Sequence, residues 1–304
     1  MAITLLVLFS AITGHLLLWF IYHKHYRFAS IIFDFLPYYT SLSLLFAFIA
    51  TGSLLLLNLD LSLLIIIFII LAVSSLFQAI KLYKWSSNYK LNQYESILKK
   101  IKDDPKIEII DVQSWIDNPI SDPLKLQILI RHDVDIDLNR TKKMAEVEEK
   151  LGVPACYYFR FGAEKFTKDE ALELMKDFDK KSNITVGFHY ESLSRTNGDL
   201  EKAVRIFEVE LNKIRQFVNI KFISAHGDKF DNKQLVRDGH LSLEKYGLLS
   251  SYQFSHDFYI SEIGGNHYHN SPWGKMSFIE ILNNLLEQQP GNLAQILVHA
   301  DWWF

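Results

Sequence analysis

Five short apolar runs in this chain each end in a cluster of polar, chemically competent residues. Leu126–Ile130 leads into Arg131-His132-Asp133-Val134-Asp135, and Ala155–Phe159 leads into Arg160. Ile184–Phe188 leads into His189-Tyr190-Glu191, Lys221–Ala225 into His226-Gly227-Asp228, and Leu293–Val298 into His299-Ala300-Asp301-Trp302. Amphipathic segments separate the runs, and short strands alternating with helices predict a mostly parallel sheet or barrel. Such folds gather functional groups at the carboxyl ends of their strands. One polar strand end means little; five on one rim is the pattern an active site leaves.

The intervening segments carry their own start and stop signals. Asp137 is placed to cap a helix over Leu138–Leu151, which Gly152-Val153-Pro154 closes. Thr167-Lys168-Asp169-Glu170 reads as a capping box opening a helix to about Asp179. Further helices are expected over Asn92–Lys102, Leu200–Val218 and Ser277–Glu287, and an additional strand over Lys106–Val112. Asn118-Pro119 to Asp122-Pro123 reads as loop.

The first part of the chain is of a different character. Residues 3–22, 36–57 and 61–80 are apolar runs of about 20 residues, enough to cross a hydrocarbon core of roughly 30 Å. A signal peptide is the competing reading of the first run, but it lacks a basic leading region. It also carries Trp19, Phe20 and Tyr22 where a cleavage site needs small residues. The expected organisation is therefore a three-helix membrane anchor over 1–83, a membrane-proximal linker and domain start over 84–125, and a catalytic domain over 126–304. Lys24 and Arg27 follow the first span and Lys81, Lys84 and Lys90 the third, whereas the loop between the second and third carries only Asp60. That bias predicts an external amino terminus, with the carboxyl-terminal domain on the cytoplasmic side of a bacterial inner or plasma membrane. His15, inside the first span, reads as an interhelical hydrogen-bonding residue.

A formal net charge of −3, without a basic aromatic stripe, argues against nucleic acid as a partner. The single cysteine, Cys156, excludes an internal disulfide and a cysteine-rich zinc site, and reads as a buried filler.

Asp133 and Asp135 are two residues apart on an extended segment and share a face. Two like charges at a strand end favour a cation beside them; the quieter reading is a cap for the helix that follows. The motifs RHDVD (131–135), GFHYE (187–191), AHGD (225–228) and LVHADWW (297–303), in that order, resemble the polysaccharide deacetylase superfamily (the NodB-homology domain, carbohydrate esterase family 4). The resemblance covers about Leu126 to Trp302. It implies a distorted parallel β/α barrel and metal-dependent removal of acetyl groups from sugars. Asp133 then corresponds to the general base that activates water, Asp135 to a metal ligand, and His189 to the first histidine of the family's H-x-x-x-H metal motif. His299 corresponds to the general acid for the leaving amine.

The second histidine of that motif is replaced by Leu193. Glu191 and His226 both stand where they can replace it, and nitrogen-rich ligation of a divalent ion such as zinc favours His226. Arg160, Glu191, Asp228 and Trp302 are expected to support the site or bind substrate. His189 alone could equally be a satisfied core histidine, His226-Gly227-Asp228 a plain turn, and His267 and His269 read as surface or substrate-loop residues. The expected function is a membrane-anchored deacetylase acting on an amino sugar or a lipid-linked or surface polysaccharide precursor, with the lipid bilayer and a carbohydrate as partners. The rivals are a metal-dependent hydrolase of a small amide or imide, and a non-catalytic, membrane-tethered glycan-binding protein.

Overall fold

The computed structural model describes residues 90–117, 122–163, 165–253, 256–261, 268–269, 280, 283–284 and 291–303. They belong to one compact unit, Lys90–Phe304. The three expected spans and their orientation, His267, residues 118–121 of the expected loop and most of the expected helix over 277–287 lie outside the described residues. Among the described residues no helix is long and apolar enough to cross a membrane.

The elements in chain order are α1 (Leu91–Asp103), β1 (Ile107–Ile110), α2 (Val112–Asp117), β2 (Leu126–Val134) and α3 (Leu138–Leu151). Next come β3 (Ala155–Phe159), α4 (Lys168–Asp179), β4 (Ile184–Tyr190), α5 (Ser192–Arg195), α6 (Leu200–Arg215) and β5 (Phe222–Ala225). The chain continues through α7 (Gln234–Arg237), α8 (Leu243–Tyr246), β6 (Leu249–Ser250), β7 (Phe258–Ser261), β8 (Tyr268–His269) and β9 (Leu293–Val298). A 3₁₀ turn, Ala300–Trp302, follows.

The strands form one sheet in the order β6-β5-β4-β3-β2-β9-β7-β8, with β1 added to β2. Every described pairing is parallel except β7 with β8. The parallel strands make a curled half-barrel, in keeping with the expected distorted β/α barrel. β2 is its axis: Leu126–Leu129 pair with β1, Arg131–Val134 with β3, and Gln127–His132 with β9. All nine residues of β2 are buried, as a strand covered on both faces requires.

Local signals placed the helices. Asp137 accepts from the backbone N–H of Asn139 and Arg140, and Gly152 closes α3 at φ 63°, a conformation glycine adopts without strain. Thr167 and Glu170 form the full capping box of α4. The expected helix to Val218 stops at Arg215, where the guanidinium turns back onto the carbonyls of Ile220 and Tyr246. Two strands run further than their apolar stretches: β2 to Val134 and β4 to Tyr190, because β3 and β5 supply ladder partners that far. His269, expected in a loop, lies in β8 opposite Tyr259. Cys156 is a free, buried thiol in β3.

Candidate active site

Alternation along β2 sends Arg131 and Asp133 to one face and His132 to the other, and Asp135 follows just beyond the strand. Arg131 donates from Nε to Asp133 Oδ1 at 2.9 Å and from Nη2 to Oδ2 at 2.7 Å. It also donates to Ser224 Oγ, and its guanidinium lies 5.1 Å from the centre of the Tyr158 ring. Burial alone would raise the Asp133 carboxyl. The charges of Arg131 and then His189 outweigh it and hold the group below the ordinary carboxylate value.

Histidines from three other strand ends converge on Asp135. His189 Nε2 lies 3.6 Å from Asp135 Oδ1 and 3.4 Å from Asp133 Oδ2. His226 Nε2 lies 3.6 Å from Asp135 Oδ1, and His299 Nε2 lies 3.9 Å from Asp135 Oδ2. Ligand-type atoms of Asp135, His189 and His226 all fall within 4.8 Å of one another. Burial favours the protonated form of Asp135, but His226, His189, His299 and Arg160 together hold it well below the usual range. Burial pushes His189 down, against the pull of Asp133 and Asp135, so its ring favours the neutral, ligating form.

The far sides of these imidazoles are fixed. His189 Nδ1 meets the Ser224 carbonyl at 3.1 Å, and His226 Nδ1 lies 3.4 Å from Glu191 Oε2. Carbonyls and carboxylates orient metal-binding histidines in this way, leaving Nε2 for the ion. Asp135 Oδ1, buried between the two Nε2 atoms, accepts no hydrogen bond. A carboxylate oxygen without a donor, facing two imidazole nitrogens, is a donor set that fits a divalent, borderline-soft cation.

The remaining expected residues fall around this centre. Glu191 receives Arg160 Nη2 at 2.6 Å and Arg195 Nε at 3.0 Å, while Arg160 Nη1 donates to the Asp135 carbonyl at 3.2 Å. Between two guanidinium groups, Glu191 holds His226 from behind. A second grouping of Glu191, His226 and Asp228 also lies within 4.8 Å, but Asp228 is exposed and bonds the Lys229 N–H. Trp302 closes the 3₁₀ turn directly after His299. Leu193 sits in α5, packed into the core, and its N–H bonds to Asn232 Oδ1 at 2.9 Å.

Arg131, Ser224 and Asp301 were given no individual role by the motifs. Arg131 had a legible signal, two residues before Asp133 on a strand. Ser224 had none, since its carbonyl and hydroxyl reach the site only through β4–β5 pairing. Asp301 is buried beside the site; burial first, then Asp135, pushes its carboxyl up to about 7.

No protein-family model matches the chain, and no curated protein matches it. Solved structures similar to the chain include the following two. One is a polysaccharide deacetylase from Bacillus cereus, with 13% identity over 57% of this chain and 79% of that one and a TM-score of 0.38. The other is a family 4 carbohydrate esterase from Bacillus anthracis, with 14% identity over 69% of this chain and 77% of that one and a TM-score of 0.34.

Proposed function

We propose that the chain is a metal-dependent deacetylase that hydrolyses the acetamide of an amino sugar and belongs to the polysaccharide deacetylase superfamily. The observation that carries this reading is the convergence of Asp135, His189 and His226 on one point, with Asp133 and His299 beside it. Asp135, His189 and His226 would hold the ion, with zinc the first candidate. A bound divalent ion supplies Lewis acidity, polarising an acyl carbonyl and acidifying water toward a pKa of about 7.

The chain's own groups supply the proton transfers. Asp133, kept ionised by Arg131, takes the proton of the attacking water. His299, whose Nε2 lies 3.9 Å from Asp135 Oδ2, gives a proton to the departing nitrogen. Arg160, Arg195 and Glu191 orient His226, and the Ser224 carbonyl orients His189. Three spans over 1–83 would anchor this unit to a bilayer on the cytoplasmic side, where a lipid-linked sugar precursor is the fitting substrate.

A second reading, glycan binding without turnover, is favoured by buried Leu193 at the position of the family's second histidine. Metal content of the full-length chain, measured beside Asp135→Ala and His189→Ala and followed by acetate release from N-acetylated sugars, separates the two. One ion per chain, lost in both variants, together with acetate release, supports the deacetylase. An ion without turnover supports the binding protein, and no ion after reconstitution rejects the proposed site.

A further inference from the structure

The face of β2 opposite the site carries a second, fully buried polar cluster. His132 Nε2 lies 2.6 Å from Glu148 Oε1 of α3. The same carboxylate accepts from Tyr94 of α1 at 2.5 Å and from Tyr157 of β3 at 2.6 Å. His132, Glu148 and Tyr157 have 0% exposure, and the His132 ring stacks on Tyr157 at 4.2 Å. A buried carboxylate is tolerated where its oxygens are satisfied, and such a network rigidifies what it joins.

What it joins is the segment bearing His299. His132 Nδ1 is 3.1 Å from the carbonyl oxygen of Val298, the peptide that leads directly into His299. A carbonyl only accepts, so Nδ1 carries a proton and donates it there. Arg140 of α3 donates to the Asp301 carbonyl at 2.8 Å, and Trp303 packs on Tyr94 at 5.3 Å. The backbone is thus held on both sides of His299, by His132 before it and by Arg140 after it.

We propose that His132, fixed by Glu148, Tyr94 and Tyr157, is a positioning residue for His299, setting where its imidazole stands relative to the leaving group. This rests on the reading of His299 as the proton donor. It also makes α1, through Tyr94, part of the support of the catalytic centre. Misplacement of a reacting group by about 1 Å costs on the order of 100-fold in rate.

The test uses His132→Gln and His132→Asn in the full-length chain. The glutamine amide reaches the place of Nε2 and keeps the link to Glu148, but loses the donor to Val298. The asparagine amide stands near Nδ1 and keeps that donor. Turnover is compared on an N-acetylated amino sugar, whose nitrogen must be protonated to leave, and on 4-nitrophenyl acetate, whose phenolate leaves unassisted. His132→Gln is expected to lose about 10- to 100-fold in kcat on the amide with the ester rate near wild type, and His132→Asn to recover most of the amide rate. In ¹⁵N-histidine spectra, the His299 ring signals, assigned with His299→Gln, should shift in the glutamine variant only, with those of His189 and His226 unmoved.

Equal losses on amide and ester, or unshifted His299 signals, would overturn the proposal. A wild-type chain inactive on both substrates would instead reject the deacetylase reading, and the spectra alone would then decide the positioning role. If neither His132 variant folds, Tyr94→Phe carries the test, with a smaller amide-selective loss and the same shift expected. Absence of both overturns the proposal.

Discussion

Removing the guanidinium from the Arg131–Asp133 pair should be among the most damaging single changes to this fold. The two groups share two hydrogen bonds at 2.7 and 2.9 Å, with side-chain exposures of 2% and 6%. At 2.7 Å and an effective dielectric of about 20, the attraction is about 6 kcal/mol, and desolvation of both ions offsets part of it. Breaking a buried pair from one side typically costs about 3–5 kcal/mol, because the surviving charge is left in the core. Arg131→Met leaves Asp133 with His189 at 3.4 Å as a remaining partner, so about 3 kcal/mol is expected there. Asp133→Asn leaves the guanidinium between Ser224 and the rings of Tyr158 and Tyr252, with a cost of similar size. The double variant removes both charges and should lose less than the sum of the singles by about 3 kcal/mol. Urea unfolding followed by tryptophan fluorescence, in chelator so that no cation substitutes for Arg131, measures the cycle; Trp115 and Trp303 are both buried reporters. A coupling energy under about 1 kcal/mol, the value of an exposed ion pair, would refute the reasoning.

Three further outcomes are expected. Glu191→Gln keeps the shape but removes the charge that Arg160, Arg195 and His226 face, so zinc affinity by titration calorimetry should fall about 10- to 100-fold; an unchanged affinity would mean that Glu191 does not orient His226. Gly187→Ala would place a methyl 2.5 Å from Tyr158 Cδ1 and 3.1 Å from the Phe222 carbonyl, costing about 1–3 kcal/mol by overpacking; a thermal midpoint equal to wild type would count against this close approach. Burial pushes the Cys156 thiol from 9.0 up to about 12, so the native chain should resist Ellman's reagent at mildly alkaline pH and react once urea unfolds it. Because the folded value lies above the unfolded one, the stability linked to this thiol is complete below 9 and declines as pH rises toward 12. Rapid native labelling would show that the strand is not closed around it.

The sequence alone specified the four longer helices α1, α3, α4 and α6 and most strands, because their signals are local, whereas the short helices α2, α5, α7 and α8 were not expected from it. Asp137, Gly152 and the Thr167–Glu170 box act within a turn of themselves, and the apolar runs of β2, β3, β4, β5 and β9 are continuous because both faces of those strands are covered. It also located the polar strand ends from which the candidate site is built. The strands β6, β7 and β8 were not expected from the sequence; β6 and β8, two residues each, are too short to show a period. Only the tertiary structure decided which strand-end groups meet. Glu191 and His226 both stood open along the chain, with His226 favoured on its nitrogen donor; in the structure Arg160 and Arg195 close on Glu191 while His226 Nε2 lies 3.6 Å from Asp135 Oδ1. The adjacent His132 and Asp133 likewise read as one motif. The pleat of β2 sends Asp133 to the site and His132 to a buried network on the other face, a division that appears only when Glu148, 16 residues on, folds back to meet it.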